Sequence, residues 1–391
     1  MAAFDVAEYR DRLARVQARM AQAELDVLVC VDPANLHYLT GYDGWSFYVP
    51  QAVAVARFAG EPLWIGRAMD LAGARLTTYL GADSLFGYPE EYVDARDRHP
   101  MAYVGRTLRD RGWARGRVGV ELDCCYYTAR AHAELTASLP GATLVDADLL
   151  VNWVRLVKSD AEVAHMRAAA RIAEQAMQAG IEAIEPGVRE CDVAARVAAA
   201  QFGGTPAHWG DYPAALPSLP SGARTAAPHL NWSGARHVAG SVTYLELAGC
   251  HARYHAPLAR TVSLGPPPAA LERLAHVVGE GLEAALDAAR TGRTAEQVEA
   301  AWREVITRAG YRKASRIGYP VGLGFPPDWG ERTASLRPGD TTILAPNMCF
   351  HVILGMWLDD WGYEISETLR MTQAGPPEVL TDFPRRLFVK A

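Results

Sequence analysis

The alternation of apolar and polar positions changes character twice along the chain. Residues 6–22 repeat their apolar positions at helical spacing, so they predict an amphipathic opening helix. The short apolar runs LDVLVCV (25–31), AVAVARF (52–58), PLWIG (62–66) and RVGVEL (117–122) predict buried strands, with a helix over about 126–138. Strands and helices joined by short connections make the first 155 residues an α/β domain. A different texture begins near residue 155. Ser159 followed by Glu162 is a capping box, and it opens a predicted helix running to about Ala183 with Val163, Met166, Ala170 and Ile172 on one face. From 241 onward VTYLELAG (242–249), ARTVSLG (259–265), TTILAP (341–346) and GYEISETLRM (362–371) read as strands.

A weak internal repeat spans the second region. EPGVRECDV (185–193) resembles RTGRTAEQV (290–298), matching Gly187 with Gly292 and Val193 with Val298 at an offset of 105 residues. In both, a helix stops at glycine and another begins a few residues later. The expected architecture is therefore an α/β domain over 1–155 and an α+β domain over 156–391 made of two similar halves.

Composition narrows the partners. The 391 residues carry 45 acidic and 39 basic side chains, a formal charge of −6, with no basic block to attract nucleic acid or an anionic membrane. No apolar run reaches the 18 or so residues that a membrane helix needs. The polar, charged start does not read as a secretory signal, so a cytoplasmic protein is expected. The six cysteines form no CxxC pair and are expected as reduced, packed thiols.

Several side chains stand out chemically. Glu246 interrupts the apolar run YLELAG; it sits either on the exposed face of an edge strand or inside a pocket that meets or acts on a cation. Glu364 and Glu367 lie in the strand GYEISETLRM, which should turn at least one carboxylate toward an enclosed face. His229 lies in a Gly- and Pro-rich connection (203–234) with Trp209, Asp211, Tyr212 and the Ser221-Gly222 pair, a long segment of the functional kind. The run RIGYPVGLGFPPDWGER (316–332) lacks the spacing of a phosphate loop and predicts a rigid loop presenting Tyr319, Asp328, Trp329 and Glu331. The aromatic run GYDGWSFY (41–48), with Trp45 and Tyr48, either packs into a core or, lacking strand alternation, forms a lid or a partner-facing loop. His251 and His255 are four apart, but their surroundings fit strand and turn, not the helix of an HxxxH metal site.

These segments carry a family resemblance. The linker VRLVKSDAEVAHMRAAA (154–170), the SGx5PH motif ending at His229, RTV at 260–262 and LRPGD…PNMCF (336–350) resemble the creatinase/prolidase family. The resemblance implies a pita-bread catalytic domain of two pseudo-symmetric halves behind a smaller N-terminal α/β domain. Peptidases of that family hold two metals through two Asp, one His and two Glu; here those positions are Glu246, Pro257, Tyr319, Ile353 and Ser366. Pro and Ile cannot ligate a metal, so the resemblance implies a metal-free branch without metallopeptidase activity. Within that branch GYDGWSFY, GDYPA, LPSG, ELAGC…RYH, GYPVGLGFPPDWGERT and PRRLFVK are similar to ectoine hydrolases over nearly the whole chain. Members usually carry Cys and His where this chain has Ala256 and Pro50.

The resemblance implies hydrolysis of a cyclic amidine of the ectoine or hydroxyectoine type. Alternatives are another metal-free C–N hydrolase of the creatinase type and a non-catalytic binding module. On this reading Glu246 receives the amidinium fork or attacks its carbon, and His229 serves as base and acid. Substrate contacts are expected from Trp45, Tyr48, Asp211, Tyr212, Tyr254, His255, Tyr319, Trp329, Glu331, His351, Glu364 and Glu367. No metal or cofactor is expected. The resemblance further implies a homodimer, with the Trp45/Tyr48 loop reaching the partner's site, and a downstream deacetylase to take up the acetylated product.

Overall fold

The computed structural model describes residues 3–391, which divide into two compact units with the boundary between Arg155 and Leu156. The first unit contains α1 (Val6–Gln22), β1 (Val27–Cys30), α2 (Pro33–Thr40), β2 (Ala52–Ala56), β3 (Leu63–Arg67), α3 (Leu71–Thr77), β4 (Leu85–Tyr88), α4 (Pro100–Asp110), β5 (Gly116–Val120), α5 (Ala129–Ser138), β6 (Ala142–Asp146) and α6 (Leu150–Arg155). Its sheet runs β4-β3-β2-β1-β5-β6, antiparallel across β1–β2–β3 and parallel elsewhere. The apolar runs read from sequence are its central strands. Val27, Val29, Ala54, Ile65, Val118 and Val120 pack one face against Met101, Val104 and Leu108 of α4 and Leu135 of α5. Burial of about 25 cal/mol per Å² of apolar surface holds such a sheet together.

The second unit opens with α7 (Asp160–Ala183), whose capping box is formed: Ser159 Oγ accepts from Glu162 N and Glu162 Oε2 accepts from Ser159 N. There follow α8 (Glu190–Gly203), β7 (Val242–His251), β8 (Tyr254–Leu264), α9 (Ala269–Ala288), α10 (Ala295–Arg308), β9 (Gly318–Phe325), β10 (Asp328–Gly330), β11 (Cys349–Trp357), β12 (Gly362–Arg370), β13 (Glu378–Val379) and β14 (Phe388–Lys390). The order is β13-β12-β11-β9-β8-β14, with β7 on β8 and β10 on β9; all pairings are antiparallel except β8–β14.

The internal repeat is physical. Gly187 and Gly292 adopt φ of 88° and 89°, backbone that favours glycine. Gly187 N donates to His237 O and Gly292 N to Leu344 O. Glu190 N donates to Ala235 O and Ala295 N to Thr342 O. Each helix pair thus ends on the same two backbone bonds.

Three sequence expectations are corrected here. Residues 341–346 form no strand, only an isolated bridge from Ile343 to Thr294. Cys349–Trp357, not singled out by its pattern, is a central strand buried on both faces. The expected rigid loop 316–332 is mostly strand, β9 and β10 joined by the turn at Pro326-Pro327. Glycine disguised it. A Cβ on Gly322 would stand 2.7 Å from Lys158 Cε and 2.8 Å from Glu331 Oε1, so close packing selects Gly inside this strand.

Candidate active site

A cavity of about 640 Å³ opens in the second unit. Its wall is built from residues 214–218, from His229 and Asn231 of the long connection, from Glu246 on β7, and from Arg316, Tyr319 and the Pro326–Trp329 turn. The alternation along β7 explains Glu246. Leu245 and Leu247 are fully buried in the core formed with α7 and α8, so Glu246 points the other way, into the cavity. Glu246 is half-buried. Desolvation, then the negative charge of Asp328, pushes its carboxyl up to about 7.

A second carboxyl stands behind it. Glu364 on β12 is 1% exposed and its Oε1 has no hydrogen-bond partner. Desolvation and the charge of Glu246 hold its pKa well above the ordinary carboxylate range, against a smaller opposing pull from Lys313. Lys313 caps this side: its Nζ donates to Gly355 O and lies 4.2 Å from the Trp357 ring centre, and burial lowers its pKa to about 8.

The aromatic wall is locked by a chain of hydrogen bonds. Trp329 Nε1 donates to Tyr319 Oη at 3.0 Å. Tyr319 Oη lies 3.1 Å from His351 Nδ1, and His351 Nε2 lies 2.8 Å from Ser366 Oγ. A neutral imidazole carries one N–H, so His351 donates on one of these two sides and accepts a hydroxyl proton on the other. Burial pushes His351 down to about 3, which keeps it neutral in that role. His255 is likewise buried and lowered to about 4; its Nε2 accepts from Ala214 N at 2.9 Å and so fixes one edge of the cavity. Arg316 lies 4.5 Å over the Tyr319 ring and supplies positive charge at the wall.

Of the residues singled out from sequence, Glu246, His229, Tyr319 and Trp329 line this cavity, while His255, His351 and Glu364 stand immediately behind the lining. Others do not line this cavity. Glu331 is fully buried, 2.6 Å from Lys158 Nζ. Glu367 is fully buried and 2.6 Å from Arg260, and it also accepts from Thr381 and Arg385. Tyr254 donates to Glu162 at 2.8 Å inside the α7 contact. Asp211 accepts from Arg253 N, and Tyr212 lies 3.8 Å beneath the Arg253 guanidinium. Both brace the tight β7–β8 turn, whose Ala252 and Arg253 have positive φ. Trp45 and Tyr48 belong to the first unit and are 58% and 67% exposed; Tyr48 borders a separate cavity of about 340 Å³ there. Sequence reasoning missed Ser218, Asn231, Arg316 and Lys313. A lone Arg or Lys in a loop carries no periodicity to mark it.

The family models "Creatinase/Prolidase N-terminal domain" and "Metallopeptidase family M24" match residues 12–157 and 164–373. An ectoine hydrolase of Halomonas elongata is 44% identical over 390 residues, covering 98% of this chain and 97% of that protein. An uncharacterized hydrolase/peptidase, y4tM, of Sinorhizobium fredii is also 44% identical, over 387 residues, covering 99% and 98%. The crystal structure of dipeptidase PepE from Mycobacterium ulcerans superposes with a TM-score of 0.80 at 24% identity, covering 99% of each chain.

The metallopeptidase model raises the question of metal, and the donor set answers it. Pro257 and Ile353 offer no side-chain donor, and the hydroxyls of Tyr319 and Ser366 are committed to His351. Among the described residues no group of three or more His, Cys, Asp or Glu is placed to share a metal ion. The residues at the five positions therefore do not fit a dinuclear centre. With both family models matched in order and relatives at 44% identity end to end, the chain belongs to the creatinase/prolidase (M24) family of hydrolases.

Proposed function

We propose that this protein opens the ring of a small cyclic amidine of the ectoine type by adding water, without a metal. The observation that carries the reading is a cavity of small-molecule size holding both signs of charge, with the desolvated Glu246 and the exposed Asp328 on one hand and Arg316 on the other. A zwitterion with an amidinium and a carboxylate matches that pattern, and the 44% identical Halomonas protein bears the name ectoine hydrolase. Ionised Glu246 accepts the two amidinium N–H groups as a fork, and Arg316 faces the substrate carboxylate. An amidinium carbon is already electrophilic. Oxygen bonds to it, one ring C–N bond breaks, and the departing nitrogen takes a proton while the other keeps the new acetyl group. His229 takes the proton from the attacking water and returns one to the leaving nitrogen. If Glu246 attacks first, its oxygen bonds to the amidinium carbon, which releases one ring nitrogen and keeps the other. Water then adds at the Glu246 carboxyl carbon, the attacking glutamate oxygen leaves as the product's amide oxygen, and the water oxygen stays in the carboxylate. Trp329 and Tyr319 box the flat cation, with His351 and Ser366 keeping Tyr319 in place. The proposal includes a homodimer in which Trp45 and Tyr48 act on the partner's substrate.

Incubating chelator-treated protein with ectoine and following ring opening by proton NMR tests the reading. Turnover unaffected by chelator is expected. Turnover of creatine but not of ectoine would reassign the substrate, a requirement for added zinc or manganese would end the metal-free mechanism, and no turnover of any amidine would leave a binding module. Single-turnover reaction in oxygen-18 water separates the routes, since only attack by Glu246 moves label into the carboxylate.

A further inference from the structure

We propose that Glu190, the first residue of α8, is the positioning residue that aims His229. This rests on the reading that His229 handles the protons. His229 is exposed and, unlike His255 and His351, its ring makes no hydrogen bond to another side chain or backbone group among the described residues. Its aim therefore depends on its backbone. That backbone has φ of +64°, a conformation that is strained for a non-glycine residue and persists only where the surroundings enforce it.

The enforcing group is one buried carboxylate. Glu190 has no exposed surface. Its Oε1 accepts from the backbone N and the hydroxyl of Ser221, at one end of the segment that carries His229. Its Oε2 accepts from the backbone N of Ser233 at 2.6 Å and the Ser233 hydroxyl at 2.7 Å, at the other end. Arg224 donates to the same Oε2 at 2.5 Å and, through its second nitrogen, to Asn231 O at 2.7 Å. One carboxylate thus fastens residues 221, 224 and 233 directly and 231 through arginine, and residue 229 lies at the apex of the closed segment. Hydrogen bonds to a charged acceptor are roughly twice as strong as neutral ones, which suits a clamp.

The internal repeat separates this role from helix architecture. Ala295 stands at the repeat-equivalent of Glu190 and makes the same backbone bond, its N to Thr342 O, with no carboxylate at all. The helix pair and its turn do not need the acid. Only the half that bears His229 carries it.

The test compares Glu190→Gln, Ser233→Ala, His229→Ala and the Glu190→Gln/His229→Ala double variant in the full-length protein, by thermal unfolding, by hydrogen exchange over 221–233 and by ectoine ring-opening kinetics. Glu190→Gln keeps cooperative unfolding and speeds exchange over 221–233 about tenfold. It lowers kcat by about tenfold or more with KM within about threefold, because misplacing a catalytic group by about 1 Å can cost about 100-fold. In the His229→Ala background the same change costs less than about twofold further, since the group it aims is gone. Ser233→Ala gives the same pattern, weaker, and stands in should Glu190→Gln fail to fold. Unchanged exchange over 221–233, an unchanged kcat, or equal losses in both backgrounds would overturn the proposal. Wild-type turnover by His229→Ala would instead remove His229 from the reaction, while the exchange data still report whether Glu190 holds the loop.

Discussion

At the scale of single residues, the site turns on how strongly water is kept from Glu246. A glutamate raised from 4.5 to about 7 is half protonated near neutrality, and only its ionised form accepts an amidinium fork. The expected profile of kcat/KM therefore rises with pH through about 7, and Glu246→Gln loses on the order of 10³-fold or more. A profile flat between about pH 6 and 8 would take Glu246 out of substrate binding. The same shift has a consequence for stability. The folded state binds this proton more tightly than the unfolded chain, so the contribution is full below about pH 4.5 and is lost as pH rises through about 7. Glu364 shifts in the same direction. Glu246→Gln should accordingly gain on the wild type as pH goes from about 5 to 8, by about 1–2 kcal/mol once partial solvent screening is counted. Urea melts at the two pH values measure it, and a stability difference between variant and wild type that stays the same at both would show that the carboxylate is not desolvated.

At the scale of elements, what sequence could reveal depended on whether one side chain or many recorded the structure. Strands β1, β2 and β3 of the first unit bury nearly every residue, so apolar runs betrayed them; the capping box at Ser159 is a local hydrogen-bond pattern and was equally legible. β9 was not, because its glycines answer to neighbours distant in sequence such as Lys158 and Glu331. Carboxylates followed the same logic. An apolar strand announces that Glu246, Glu364 and Glu367 are unusual, but not which cation each meets. Glu367 on β12 meets Arg260 on β8, a strand with which β12 shares no sheet pairing, and both side chains are fully buried. Arg260 also donates to Ser366 O, Phe383 O and Pro384 O, which ties β8 to β12 and the C-terminal segment. Arg260→Ala leaves Glu367 charged and buried, so a loss of about 3–5 kcal/mol is expected, and removing both charges together should cost less than removing one. Denaturant unfolding of the single and double variants checks both statements; a single variant within about 1 kcal/mol of the wild type would refute the first.

At the scale of the whole molecule, the first unit carries exposed aromatic surface. Trp45 packs on Phe47 and Phe47 on Tyr126, yet Trp45 and Tyr48 remain more than half exposed beside one another on the 41–48 segment. Large exposed aromatic groups of this kind suit a subunit interface. If each loop serves the partner's substrate, as the proposed homodimer requires, inactive chains should complement. A chain with Glu246→Gln keeps an intact loop, and a chain with Trp45→Ala and Tyr48→Ala keeps an intact Glu246. Mixed by refolding, they form heterodimers in which one site pairs both defects and the other is wholly wild-type. Random association makes half of all dimers mixed, each with one working site of two, so about a quarter of wild-type ring-opening activity should return. Were the loop to serve its own chain, every site in the mixture would keep one defect and no activity would return. Sedimentation of the wild type at twice the mass of one chain is the accompanying requirement, and a monomer that turns over ectoine at full rate would dismiss the arrangement outright.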